Sequence, residues 1–488
     1  MWTIALTIAA SLASLPVGLA FNNPPGVDIC NASFNPGGWF EEPSWSSTPL
    51  LNLKVRPRMS IYLESDATGS LLIDTTVSHL TGDPLPSLPS SAAYSKQTLH
   101  LNIHILTPEG SPIASITNHT LTLDSTNNDI ALPFSSLNLS PRRTPYIVTT
   151  IASLPNTTFT TSTELYYLPQ RTDGGSATRI DHLHGGLSYI RGENTTWTSI
   201  FPFTYYVQWS LYWDTTPTTL ETFSTMGYNV IHIVPTGTLS TTPFPWTSFS
   251  PYLSLADRLD LHFQYDVLWD ATNLTRMIDQ VNHIHTHPSL LLYYTGDEPD
   301  GKSDALNATQ IAYAKLKELD PYHPVSLALN CKNFYYTDYA AGADIILSDV
   351  YPVATNTSWS TVYETPCNAT YGCCGCDDCT GRFEDVSERI DGFRAFDELV
   401  GWEKTHWGAP QAFGNETFWT RYPTPEEEVV MVMLSVNHGA MGIVMWDFPT
   451  SEGIKEVTGE LSRVVAGDGE VVGLLLDGER DGWTLGRG

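Results

Sequence analysis

Near residue 176 the sequence changes its rhythm, and this change restricts the fold more than any other feature of the chain. From about 55 to 170, short runs such as TLHLNIHIL, HTLTLDS and PYIVTTIAS alternate apolar and polar residues and are separated by Pro, Gly, Asn and Ser. A period of two puts every second side chain on one face, so each run reads as a strand with one buried face. No helical period competes, and about seven such runs predict a β-sandwich for residues 21–175.

After 176, strand-like and helix-like segments take turns. The strand candidates are 201–209, 229–235, 259–266, 290–295, 324–330, 343–349, 409–414 and 442–448. Helical stretches fall between them, including Thr218–Met226, 271–285, one from near Ser303 to before Pro321, and Glu384–Lys404. Thr424-Pro425-Glu426-Glu427 is a capping box with proline at the first helical position, opening a helix to about Asn437. Ile454–Val465 is a last helix. Eight strand–helix units over about 270 residues predict a (β/α)8 TIM barrel across 176–466. An open doubly wound sheet would usually carry a Gly-rich phosphate loop after an early strand, and neither G-x-G-x-x-G nor G-x-x-x-x-G-K-S/T occurs. The segment 470–478 reads as one more strand, in a C-terminal tail (467–488) that looks like the beginning of a further domain.

Charge excludes several classes of partner. Lys and Arg number 24 against 53 Asp and Glu, a formal charge of −29. Nucleic-acid binding and adhesion to an anionic membrane both need a basic footprint, and none is present. Residues 1–20 carry an apolar run, Ile4–Leu15, and end Gly18-Leu19-Ala20, as a cleaved signal peptide does, although no Lys or Arg precedes the run. Asn31, Asn118, Asn138, Asn156, Asn194, Asn273, Asn307, Asn356, Asn368 and Asn415 each open an N-x-S/T triplet. Both features predict a secreted, extracellular glycoprotein. Of the cysteines, Cys367, Cys373, Cys374, Cys376 and Cys379 fall close together, with Cys30 and Cys331 apart. In an oxidising compartment the cluster reads as disulfides rather than zinc. Cys331 with the five clustered cysteines makes three bridges and leaves Cys30 over; the pairing is not deducible from spacing. No metal or cofactor is implied.

TIM-barrel enzymes place their chemistry at the C-terminal ends of the strands. The polar and aromatic residues there are Gln208, Trp209, His232, Asp266, Asp297, Glu298, Asn330, Asp349, Tyr351, Gln411, Trp446 and Asp447. His232, inside an apolar strand, reads as a core residue. Carboxylates beside Trp and Tyr suit hydrolysis of a glycosidic bond. Two carboxyl groups do the acid, base or nucleophilic work, and aromatic faces stack on sugar rings. Neither H-E-x-x-H nor G-x-S-x-G occurs, which disfavours a zincin and an α/β-hydrolase. The sharpest element is Tyr294-Thr295-Gly296-Asp297-Glu298-Pro299-Asp300, an acidic turn following a very apolar strand.

Asp297-Glu298-Pro299 resembles the Asn-Glu-Pro that ends the fourth strand in clan A glycoside hydrolases, and Trp446 resembles the aromatic platform of that clan. Asp349-Val350-Tyr351-Pro352, Gln411-Ala412-Phe413-Gly414 and Pro423-Thr424-Pro425-Glu426 resemble segments of uncharacterised (β/α)8 glycosidase-like proteins. The resemblance covers about 201–466 and implies a carbohydrate substrate with Glu298 as general acid/base. Clan A places its nucleophilic Glu at the end of the seventh strand, where this chain has Gln411, and the nearest acid is Glu416. The second carboxylate is therefore one of Glu416, Asp349, Asp447 and Asp297. Trp209, Asp266, Asn330, Tyr351, Gln411, Trp446 and Asp447 are the expected substrate contacts. Gly296-Asp297-Glu298 is also similar to the Asp-Glu pair of family 20 hexosaminidases, in which the substrate's N-acetyl group is the nucleophile. That chemistry accommodates Gln411. The remaining alternative is a catalytically silent carbohydrate-binding or cell-wall protein on the same fold.

Overall fold

The computed structural model describes residues 30, 35–86, 94, 96–267, 273–302, 304–367, 373–402 and 404–477. The signal-peptide segment 1–20, Asn31 and Asn368, and Ser303 at the expected helix start lie outside them.

The alternating runs do form two packed antiparallel sheets of four strands each. One contains Leu50–Pro57, Thr68–Ser78, Asp83–Pro84 and Asn128–Pro133; the other contains Thr98–Leu106, Pro112–Thr122, Tyr146–Leu154 and Thr157–Leu165. Leu99, Leu101, Ile103 and Ile105 point inward at every second position and meet Leu71, Ile73 and Val148 in one core. This is the sandwich expected from the period of two.

The barrel is closed and all-parallel. Its strands are β1 (Phe203–Gln208), β2 (Val230–Val234), β3 (His262–Asp266), β4 (Leu290–Asp297), β5 (Val325–Leu329), β6 (Ile345–Asp349), β7 (Thr405–Ala409) and β8 (Ile443–Phe448). Hydrogen bonding of β8 to β1 completes the ring, with Phe203 opposite Ile443. Between sandwich and barrel, Ser176–Ile180, Leu187–Arg191 and Thr198–Ile200 form a small antiparallel sheet. It lies against the N-terminal ends of the barrel strands: Ser176 Oγ donates to the Leu290 carbonyl (2.6 Å), and Ile180, Leu187 and Ile200 join the barrel core.

Three expectations need correction. The seventh strand is 405–409, not 409–414. Thr405, His406 and Gly408 interrupt its apolar run, but His406 is buried because Nε2 bonds Asp397 at 2.8 Å. Residues 470–477 are not a strand: Gly469–Asp477 is a helix, and Val472 and Leu476, one turn apart, are buried in the barrel core. A helix at Trp246–Arg258 escaped the sequence reading because Pro245 and Pro251 break its pattern. The capping box at Thr424 forms as expected.

Six cysteines are disulfide-bonded: Cys30–Cys373, Cys367–Cys374 and Cys376–Cys379. Cys331, not Cys30, lies outside the three bridges, and its buried thiol bonds Asp377.

Candidate active site

Strand alternation decides which side chains face the barrel axis. In β6, Ile346 packs outward in a cluster with Phe393, so Ile345, Leu347 and Asp349 face inward. Asp349 is the last residue of β6 and sits at the C-terminal mouth. It is 4% exposed, and its Oδ1 has no hydrogen-bond partner among the described residues. Burial drives its pKa far above the usual carboxylate value, and the charges of Glu298, Asp297 and Asp300 add to the rise.

Glu298 follows β4 directly. Its backbone is left-handed (φ 50°), uncommon for a side chain of this size. The turn is held by a hydrogen bond from the Glu298 amide to the Ala328 carbonyl (3.2 Å) and one from the Lys302 amide to the Glu298 carbonyl (2.8 Å). Desolvation and then the neighbouring Asp297 charge push the Glu298 carboxyl up to about 8, and Lys302 opposes the shift. The Glu298 charge in turn disfavours ionisation of Asp349.

Asp297 is tied down: Lys302 Nζ forms an ion pair with Oδ2, and the Tyr294 hydroxyl donates to Oδ1 at 3.0 Å. Tyr206 continues this chain across the barrel, its hydroxyl donating to that of Tyr294 (3.0 Å). The Tyr206 ring lies 5.3 Å from Trp446, which is partly exposed at the end of β8. Tyr206 was not singled out by sequence, and Tyr294 entered only as the first residue of the acidic turn, because both read as filling of apolar strands. The contact that defines them runs between β1 and β4, far apart in the chain.

Asp447 lies beside Trp446, and desolvation followed by the charge of Glu416 raises its pKa to about 6, while a hydrogen bond from Gln208 opposes the rise. Glu416 itself is exposed, in a tight turn where its amide and carbonyl both bond Trp419. Tyr351 is 8% exposed, and desolvation followed by the charges of Asp349 and Glu298 raises its phenol. Asn330 follows β5, its amide donating to Asp300 at 3.2 Å. Asp297, Glu298, Asp349, Tyr351 and Asn330 thus gather on the β4–β6 side of the mouth, and Gln208, Trp446, Asp447 and Glu416 on the β7–β1 side.

Three expected substrate contacts are engaged elsewhere. Trp209 is 1% exposed, its Nε1 donating to Thr238 Oγ1 (2.9 Å) and its ring packed 4.7 Å from Tyr252, so neither face is open. Gln411 pairs with Trp446 beyond the end of β7. Its Oε1 accepts from the Val353 amide (2.9 Å), its Nε2 donates to the Val353 and Phe413 carbonyls (3.1 and 3.2 Å), and the residue is fully buried. Asp266 is buried and bonded to His232 Nε2 at 3.1 Å. The reading of His232 as a core residue fits this contact.

The three-residue grouping of metal-binding side chains among the described residues is Cys367, Cys373 and Cys374, all disulfide-bonded. Among the described residues the carboxylates of the mouth do not converge closely enough for that.

No family model matches the sequence, and no curated protein matches it. Similar solved structures include the FMN-binding β-glucuronidase from Facaelibacterium prausnitzii L2-6, at 13% identity over 82% of this chain and 55% of that one, TM-score 0.36. Another is the β-D-glucuronidase of Dictyoglomus thermophilum, at 12% identity over 83% of this chain and 63% of that one, TM-score 0.35. A third is a glycosyl hydrolase family 2 member from Bacteroides cellulosilyticus DSM 14838, at 10% identity over 85% and 49%, TM-score 0.36. The chain spans less than two thirds of the length of each.

Proposed function

We propose that this chain is a secreted glycoside hydrolase acting at the C-terminal mouth of its barrel, with Glu298 as general acid and Asp349 as the partner carboxylate. The observation that carries the reading is two carboxyl groups with raised pKa values on one side of the mouth, the half-buried Glu298 just after β4 and the buried Asp349 ending β6. Glycosidic cleavage needs one carboxyl group protonated and one available as a base or nucleophile. Two carboxyl groups whose surroundings hold one protonated while the other is ionised supply both states at once. Asp349 is the better second carboxylate than the exposed Glu416 because it is buried at the mouth and feels the charge of Glu298. Trp446 supplies the aromatic face against which a sugar ring stacks. Asp297, held by Lys302 and Tyr294, is a poor candidate for the mobile orienting role of the hexosaminidase chemistry.

Secretion rests on the N-terminal segment, the sequons and the disulfides. Among the described residues, no helix is long and apolar enough to cross a membrane.

The test is release of nitrophenol from a panel of aryl glycosides, repeated with E298Q and D349N. Activity on one sugar, lost in both variants, is the expected result. One observation favours a silent carbohydrate-binding protein instead: Gln411 stands where clan A has its nucleophile, and its amide is committed to the Val353 backbone. Sugar binding without turnover on any substrate decides for that reading.

A further inference from the structure

We propose that Asp300 is the positioning residue for Glu298: a buried carboxylate that clamps the turn after β4 to the chain leaving β5 and sets a negative charge behind the acid. The proposal rests on the assignment of Glu298 as general acid.

Asp300 is 1% exposed. Its Oδ1 accepts from the amides of Gly301 (2.9 Å) and Asn330 (3.2 Å), and its Oδ2 accepts from the Cys331 amide (2.8 Å). Two of these three donors belong to another strand's exit, so the carboxylate bridges two loops of the mouth. The far loop is itself anchored: Arg389 donates to the carbonyls of Asn330 and Asp377, and the Cys331 thiol bonds Asp377. Gly301 lets the loops approach closely, since a Cβ there would stand 2.9 Å from Asn330 Nδ2 and 3.6 Å from the Glu298 Cβ. The left-handed Glu298 backbone is held by its own bonds to Ala328 and Lys302. The clamp two residues along adds a side-chain constraint that ties the same turn to the β5 exit.

Charge is the second part of the role. The titratable groups around the acid are Asp297 and Lys302 on its own turn, Asp349 on β6, Tyr351 beyond it, and Cys331, Asp377 and Arg389 behind the clamp. Burial raises the pKa of Asp300 itself against its three backbone donors, and its charge raises that of both Glu298 and Asp349, favouring their protonated forms.

The experiment separates geometry from charge in the full-length protein. D300N removes the charge and one acceptor. On a poor-leaving-group glycoside kcat should fall about a hundredfold, the cost of misplacing a catalytic group by about 1 Å. The basic limb of the pH–rate profile should move to lower pH. D300E keeps the charge but not the geometry, so kcat should fall while the basic limb stays in place. Either of two results overturns the proposal: unchanged kcat and pH profile in D300N, or equal losses in both variants with the wild-type profile retained. If D300N does not fold, D300E is decisive: retention of wild-type kcat overturns the clamp. A wild-type protein inactive on every glycoside defeats the enzyme reading instead. The clamp is then judged by stability: the pH-dependent gap in Tm between wild type and E298Q should shrink in a D300N background, and an unchanged gap overturns it.

Discussion

The two ends of the barrel treat buried carboxylates in opposite ways. At the N-terminal end, Asp320 accepts hydrogen bonds from His323 Nδ1 (2.7 Å), the Tyr293 hydroxyl (2.8 Å) and the Tyr322 amide (3.1 Å), with Arg171 at 3.8 Å. Burial alone would raise its pKa, but these donors and positive neighbours reverse the sign and hold it well below the usual range. At the C-terminal end, Asp349 is about as buried but keeps an orphaned oxygen, and it and Glu298 are pushed up. Burial is common to both ends; the supply of donors differs. A carboxylate ringed by donors is a structural tie, whereas one left short of them holds a proton that a reaction can use.

The largest expected effect is on catalysis. E298Q, nearly isosteric, should lower turnover of a poor-leaving-group glycoside by about 10²–10⁴-fold. The loss should be much smaller for an activated aryl glycoside, which needs little protonation. Equal losses on both substrates would remove Glu298 from the acid role. Next comes the opposite end: D320A leaves His323 Nδ1 and the Tyr293 hydroxyl without their acceptor, while Arg171 keeps Asp173 (2.7 Å), and should cost about 1–3 kcal/mol per unsatisfied donor in denaturant unfolding at neutral pH. A cost below about 1 kcal/mol would mean that the tie is not a tie.

A third test uses the sign of each shift. The native-state pKa of Glu298 is raised, so its contribution to stability is fully present below its ordinary value of 4.5 and is lost as pH rises toward about 8. E298Q should match wild type near pH 4 and melt several degrees higher near pH 8. Asp320 behaves in reverse: its stabilisation is present above its ordinary value of 3.8 and is lost as pH falls through its depressed native one. The deficit of D320N should therefore shrink in strong acid.

The smallest effect concerns Glu428, in the helix Pro425–Asn437. It is fully buried, neither carboxylate oxygen has a partner among the described residues, and desolvation raises its pKa well above normal. Its neighbour Glu427 caps the helix, whereas Glu428 faces inward. E428Q should raise Tm modestly at alkaline pH and leave it unchanged in acid, as followed by thermal melts across pH.

The barrel was legible because parallel strands covered on both faces are continuous apolar runs, and their polar last residues mark the mouth. Asp297, Glu298, Asp349 and Trp446, picked in this way, do lie at the mouth. The seventh strand was not, because its His406 is made buriable by Asp397, a helix residue that no local pattern connects to it. Trp209 was taken for a sugar contact because composition does not reveal which aromatics face the mouth and which face the helices. The helix at Trp246–Arg258 hid behind two prolines, one at its cap and one inside. The Tyr206–Tyr294–Asp297 chain and the Asp300 clamp join different strands, and only the closed barrel brings them together.

The Cys30–Cys373 bond joins residues 343 apart. Covalently it makes a ring that contains the sandwich, the small sheet and the first six barrel strands, while β7 and β8 lie outside it. In a chain-entropy account, closing a ring of that size takes about 5–6 kcal/mol of freedom from the unfolded chain. A single protease cut inside the ring leaves both pieces attached. One cut beyond Cys379 frees a fragment bearing Trp446 and Asp447. Glu298 and Asp349 would stay with the ring, and Trp446 would leave with the fragment.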